Sequence, residues 1–295
     1  MLGFVMLMTT SACSPIKLLN AVVPESTYQL YSAVAYGDLP RQKLDIYIPN
    51  QVVLSNFENK TTARKVVIFF YGGSWDSGNR GDYKFVGEAL ASQGFIVVIP
   101  DYRVYPDVLF PAFMADPALA ARWVKDNIQQ YQANTQQIFL AGHSAGAHIA
   151  VMLGVNAEYL AKQSLKPNDF AGIIGLAGPY DFLPLNSERL KTIFGPDSQL
   201  GSEQWKSQPI NFVDGKNPPM LLAVGTKDGT VWPRNTYNMA EKIKNHNGIV
   251  KVVEFENYSH IDMVAKLAKP LRGNGELLKA VVDFITNTPA SLTNK

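Results

Sequence analysis

Residues 137–150 read Gln-Ile-Phe-Leu-Ala-Gly-His-Ser-Ala-Gly-Ala-His-Ile-Ala. An apolar run leads into a serine between two glycines, and an alanine-rich stretch follows. The run predicts a strand over 137–141 and the continuation a helix over 145–153. Between them, Gly142-His143-Ser144-Ala145-Gly146 fits G-x-S-x-G, which chance alone supplies in about one chain in ten of this length. Its position gives it weight. A turn from strand straight into helix holds its serine in a strained conformation, and a side chain in place of either glycine would strike the crossing backbone. The Ser144 hydroxyl is thereby lifted over a sheet edge, beside a helix N-terminus.

Working outward, continuous apolar runs recur at 65–71, 94–100, 172–177, 220–224 and 250–255. Runs of this kind predict strands covered on both faces, as in a parallel sheet. Segments with helical spacing alternate with them at 82–93, 116–131, 233–245 and 276–286, which implies right-handed crossovers and a doubly wound α/β sheet. Ahead of these, 28–36 and 44–48 flank Gly37-Asp38-Leu39-Pro40 and read as an N-terminal antiparallel hairpin. Residues 49–64 are polar without periodicity and predict a surface loop. Residues 178–217 hold Pro179, Pro184, Pro196 and Pro209 and no strand pattern, so a small lid insertion over the C-terminal sheet edge is expected. One domain spans 28–288.

Hydrophobic content of 46% and charged content of 18% fit a folded globular chain. A net charge of +2 without basic runs gives no reason to expect a nucleic-acid partner. Four histidines without metal-ligand spacing and a single cysteine imply neither a metal nor a cofactor. Residues 2–12 carry no charge and close on Thr10, Ser11 and Ala12 before Cys13. That segment is too short to span a bilayer. It resembles a bacterial lipoprotein signal, which implies removal of residues 1–12, lipidation of Cys13 and tethering to a membrane surface of the cell envelope. Without a functional signal the expectation is cytoplasmic.

A serine hydroxyl needs a base within hydrogen-bond reach and a group that orients the base. Asp228 follows the strand at 220–224, and His260 follows the strand at 250–255. Both therefore fall at the same sheet edge as Ser144, in the order Ser, Asp, His. Asp181 and Asp262 are the competing acids. His143 is expected to point away from the hydroxyl, and His148 and His246 to be structural or solvated. Oxyanion donors are expected at Ala145, directly after the nucleophile, and in Tyr71-Gly72-Gly73-Ser74-Trp75.

Those residues, with Gln42-Lys43-Leu44-Asp45-Ile46-Tyr47-Ile48-Pro49, Asp101-Tyr102-Arg103, Phe110-Pro111 and Asp116, carry a resemblance over roughly three quarters of the chain. The chain resembles the α/β-hydrolase group that contains hormone-sensitive-lipase-like esterases, small feruloyl and acetyl esterases, and kynurenine formamidases. The resemblance implies Gly73 and Ser74 as oxyanion donors beside Ala145, and hydrolysis of a small-molecule ester through an acyl-enzyme on Ser144. The family pattern is His-Gly-Gly-x-Trp; here Tyr71 stands at the histidine position. An amidase of the formamidase type and an inactive binding protein are the alternatives. Trp75, Tyr180, Phe182 and Trp232 are candidates for an aromatic-lined substrate pocket.

Overall fold

A computed structural model of the protein describes residues 15–55 and 63–290. The expected cleavage and lipidation at Cys13 fall outside the described residues. Eight strands form one sheet: β1 (Tyr28–Ala35), β2 (Lys43–Pro49), β3 (Arg64–Phe70), β4 (Ile96–Pro100), β5 (Ala133–His143), β6 (Gly172–Leu176), β7 (Met220–Gly225) and β8 (Val250–Phe255). Their order is β1-β2-β4-β3-β5-β6-β7-β8. β2 lies antiparallel to both β1 and β4, and every pairing from β4 through to β8 is parallel. Helices cover both faces, as the α/β-hydrolase resemblance implies.

The apolar runs explain the interior. Val66, Val67, Ile68, Phe70, Ile138, Phe139 and Leu140 are fully buried in β3 and β5, because each face of these central strands meets a helix rather than water. The helix Ala145–Val155 is buried along ten of its eleven residues, which matches its apolar composition on every side. By contrast, the helix Arg234–Asn245 buries only one stripe, including Met239, Ala240 and Ile243.

Three local features depart from the expectations. β8 is an edge strand: only Phe255 is buried, while Lys251 and Glu254 are exposed. Among the described residues no ninth strand covers it, and charged side chains of this kind discourage edge pairing. The polar stretch after β2 holds a short helix, Gln51–Leu54, whose first turn is capped by Asn50 Oδ1 accepting from the Val53 N–H at 3.1 Å. A further helix, Pro15–Ala21, precedes the first strand. Residues 178–217 contain no strand; they carry the helices Glu188–Phe194 and Glu203–Lys206 and a 3₁₀ turn at Pro209–Phe212. Among the described residues, no helix is long and apolar enough to cross a membrane.

Candidate active site

β5 ends at His143 and the next helix begins at Ala145, so Ser144 alone makes the turn, with φ 55° and ψ −123°. Two close approaches enforce it. A Cβ on Gly142 would lie 2.2 Å from the Gly146 carbonyl oxygen, and one on Gly146 would lie 2.0 Å from that of Phe70. No side chain fits at either place.

Three loops bring the chemistry to this turn. The Ser144 hydroxyl donates to His260 Nε2 at 2.8 Å, and His260 Nδ1–H donates to Asp228 Oδ2 at 2.8 Å. The other oxygen of Asp228 accepts the backbone N–H groups of Thr230 (2.9 Å) and Val231 (2.8 Å). The Asp228 side chain is fully buried and that of His260 is 12% exposed, so the carboxylate is withdrawn from solvent while the imidazole keeps an exposed edge. The rival acids are engaged elsewhere: Asp181 accepts from Asn238, and Asp262 accepts from Ser259. A hydroxyl hydrogen-bonded to a neutral imidazole whose far nitrogen faces a buried carboxylate can give up its proton as it attacks.

Beyond β3, the loop at 72–75 bends through left-handed backbone, with φ +134° at Gly73, 50° at Ser74 and 60° at Trp75. The Gly73 carbonyl accepts from the N–H groups of Asp76 and Ser77, both at 3.0 Å. Among the described residues, no backbone acceptor takes the N–H of Gly73 or Ser74. Ala145 opens its helix, so its N–H also lacks an intrahelical partner. Gly72 packs against the turn itself: a Cβ there would sit 3.1 Å from Ser144 Cβ.

Tyr71 braces the start of this loop. Its hydroxyl donates to Asp101 Oδ1 (3.0 Å) and accepts from Arg41 (3.0 Å), while Tyr102 donates to its carbonyl (2.6 Å). Its ring stacks on Tyr102 at 4.6 Å. Arg41 extends the brace by donating to the Gly78 carbonyl at 2.7 Å. Nearby, Asp116 receives Gln42 and a two-pronged Arg103 at 2.8–2.9 Å. The residues that carried the resemblance thus form the loop's foundation.

A cavity of about 350 Å³ opens beside Ser144. Trp75, Phe182 and Trp232 line it, along with Pro184, Leu185 and Leu190 from the 178–217 segment. Tyr180, expected among them, is outside the lining. It is fully buried, and its ring packs over Gly175 and Gly178, because the short turn after β6 directs it into the core. An ion pair of Arg189 with the mostly buried Asp76, at 2.6 Å, joins the 178–217 segment to the loop at 72–79.

Two histidines that the sequence assigned no site role support the site from beneath. His143 Nε2–H donates to the His260 carbonyl at 3.0 Å and so holds the backbone that carries the base. His148 accepts from the Trp75 indole N–H at 3.3 Å and donates to the Ser207 carbonyl at 2.7 Å, tying the helix after Ser144, the loop at 72–75 and the 178–217 segment together. Its spacing of four residues from Ser144, on the same helix face, was the available signal.

Burial pushes the His148 imidazole down to about 4 and that of His143 down to about 3. In the unfolded chain both would protonate near pH 6.5. Folded-state values below the unfolded one mean that their stabilising contribution is complete above pH 6.5. It is lost as pH falls toward 4, by about 1.4 kcal/mol per unit for each histidine. Urea unfolding at pH 6.5, 5.5 and 4.5 should reveal this slope. His148→Gln, which can serve both hydrogen-bond partners, should remove roughly half of it; an unchanged slope would contradict the assignment.

Comparison with known proteins follows the same lines. A family model described as BD-FAE matches residues 44–243, a span that holds the loop at 72–75, Ser144 and Asp228 and ends before His260. A probable isoprenylcysteine alpha-carbonyl methylesterase of Arabidopsis thaliana is 27% identical, over 92% of this chain and 60% of its own length. The chain therefore spans about three fifths of that relative. Kynurenine formamidase of Danio rerio is 28% identical, over 88% of this chain and 83% of its own. Among solved structures, a truncated carbohydrate esterase from gut microbiota superposes with a TM-score of 0.73 at 21% identity, covering 89% of this chain and 97% of that one. At that identity the likeness speaks for the fold alone.

Proposed function

The chain belongs to the BD-FAE family, and from that premise we propose that it is a serine carboxylesterase hydrolysing small carboxylic esters through Ser144, His260 and Asp228. The observation that carries the reading is the unbroken hydrogen-bond chain from Asp228 through His260 to Ser144, 2.8 Å at each link, at the wall of a cavity.

In this mechanism Ser144 Oγ attacks the ester carbonyl as its proton passes to His260 Nε2. The new oxyanion sits among the amides of Gly73, Ser74 and Ala145, which are worth a few kcal/mol each in such sites. Asp228 holds the ring in the tautomer with Nδ1 protonated and stabilises the imidazolium. The alcohol departs with the proton from Nε2. Water then attacks the acyl-enzyme by the same route, and the acid leaves.

Incubation with a fluorophosphonate should modify the protein once, at Ser144, and block its hydrolysis of p-nitrophenyl acetate. Modification elsewhere, or none, would overturn the proposal. The Danio rerio relative, aligned over most of its own length, favours formamide hydrolysis as a second reading on the same residues. Faster turnover of N-formylkynurenine than of short acyl esters would select it. An inactive binding protein has the weaker support, since the relay is intact.

A further inference from the structure

We propose that Arg234 makes the cavity selective for esters bearing a carboxylate or comparable anionic group, a reading that rests on the esterase function proposed above. The cavity lining mixes apolar and aromatic side chains with neutral polar ones such as Asn186 and Thr230, and among the described residues Arg234 is the one charged side chain in it. Among the described residues, no acidic side chain lines it. A cationic substrate would find no partner there, whereas an anionic one would.

The placement of Arg234 fits such a role. It stands at the start of the helix Arg234–Asn245, just past the Asp228 loop. Its guanidinium lies over the Trp232 ring, 5.5 Å from the centroid. Nη2 approaches the Leu183 carbonyl of the 178–217 segment at 3.4 Å. These contacts steer the head group without neutralising it, and most of its five N–H donors stay available for a two-pronged grip on a carboxylate. Arg189, the other arginine tied to the site, is paired with Asp76. Among the described residues, no carboxylate forms an ion pair with Arg234.

Ser144 and Arg234 line the same partly open cavity, whose volume of about 350 Å³ equals a sphere about 9 Å across, toward the small end for ligand sites. The anion and the scissile carbonyl must therefore be separated by only a few bonds, as in a half-ester of a short diacid or the acetate of a hydroxybenzoic acid.

Two matched pairs test this, one for each orientation of the ester: monomethyl glutarate against methyl glutaramate, and 4-acetoxybenzoate against 4-acetoxybenzamide. In at least one pair the carboxylate should have the higher kcat/KM. The ratio within that pair should fall about fivefold in Arg234→Gln, be largely retained in Arg234→Lys, and shrink with added salt. Equal turnover within both pairs, or a ratio untouched by Arg234→Gln, would overturn the proposal, since a merely bracing arginine would affect both members alike. Hydrolysis of the neutral amides in that case would leave the esterase reading standing. No hydrolysis of any of the four, with p-nitrophenyl acetate still turned over, would overturn the proposal alone; loss of p-nitrophenyl acetate turnover as well would overturn the esterase reading itself.

Discussion

Ser144→Ala should lower kcat for p-nitrophenyl acetate by roughly 10⁴–10⁶-fold. The methyl group cannot form the acyl-enzyme, so only water attack assisted by the oxyanion amides is left. Structure should survive. The substitution removes one hydrogen bond, to His260 Nε2, worth about 1 kcal/mol. The φ of 55° costs alanine and serine alike, so the melting temperature should stay within about 3 °C. Wild-type rates in this variant would end the assignment. Loss of the cooperative melt would show that the serine is needed for folding instead.

Gly146→Val should be the most damaging single substitution to stability in the same turn. Its Cβ would fall 2.0 Å from the Phe70 carbonyl oxygen and 2.4 Å from the carbon behind it. Those atoms belong to the end of β3, in the middle of the sheet, and cannot yield as a flexible side chain could. The helix Ala145–Val155, buried along ten of its eleven residues, would have to lift away from the sheet. The expected cost is about 4 kcal/mol or more, read as insoluble expression or a lowered urea midpoint. A Gly146→Val protein as stable as the parent would mean that the turn is far more plastic than its contacts imply.

What could be read from the chain follows a physical division. Ser144, Asp228 and His260 were legible because each lies just past an apolar run, and a parallel sheet carries all such loops to one edge. The glycines were legible because close backbone approach admits nothing else. Depth and partnership were harder. Tyr180 looked like its aromatic neighbours, yet it turns into the core while Phe182 and Trp232 face the cavity. His148 gains its role from Trp75 and Ser207, 73 and 59 residues away; its spacing from Ser144 placed it near the site but did not identify those partners. Tyr71 replaces the family histidine, and its new support, Arg41 and Asp101, lies on separate loops. The edge position of β8 did leave a trace, in Lys251 and Glu254.

That edge has a consequence for how the protein fails on heating. Ser144 is anchored between fully covered strands, whereas His260 hangs from the outermost one, which has a neighbour on one side only. Fraying begins where cover is thinnest. Warming should therefore silence turnover before the sheet as a whole gives way, with amides of β8 exchanging hydrogen ahead of those of β5. On cooling, activity lost in this way should return, because re-seating one border strand asks little of the rest of the chain.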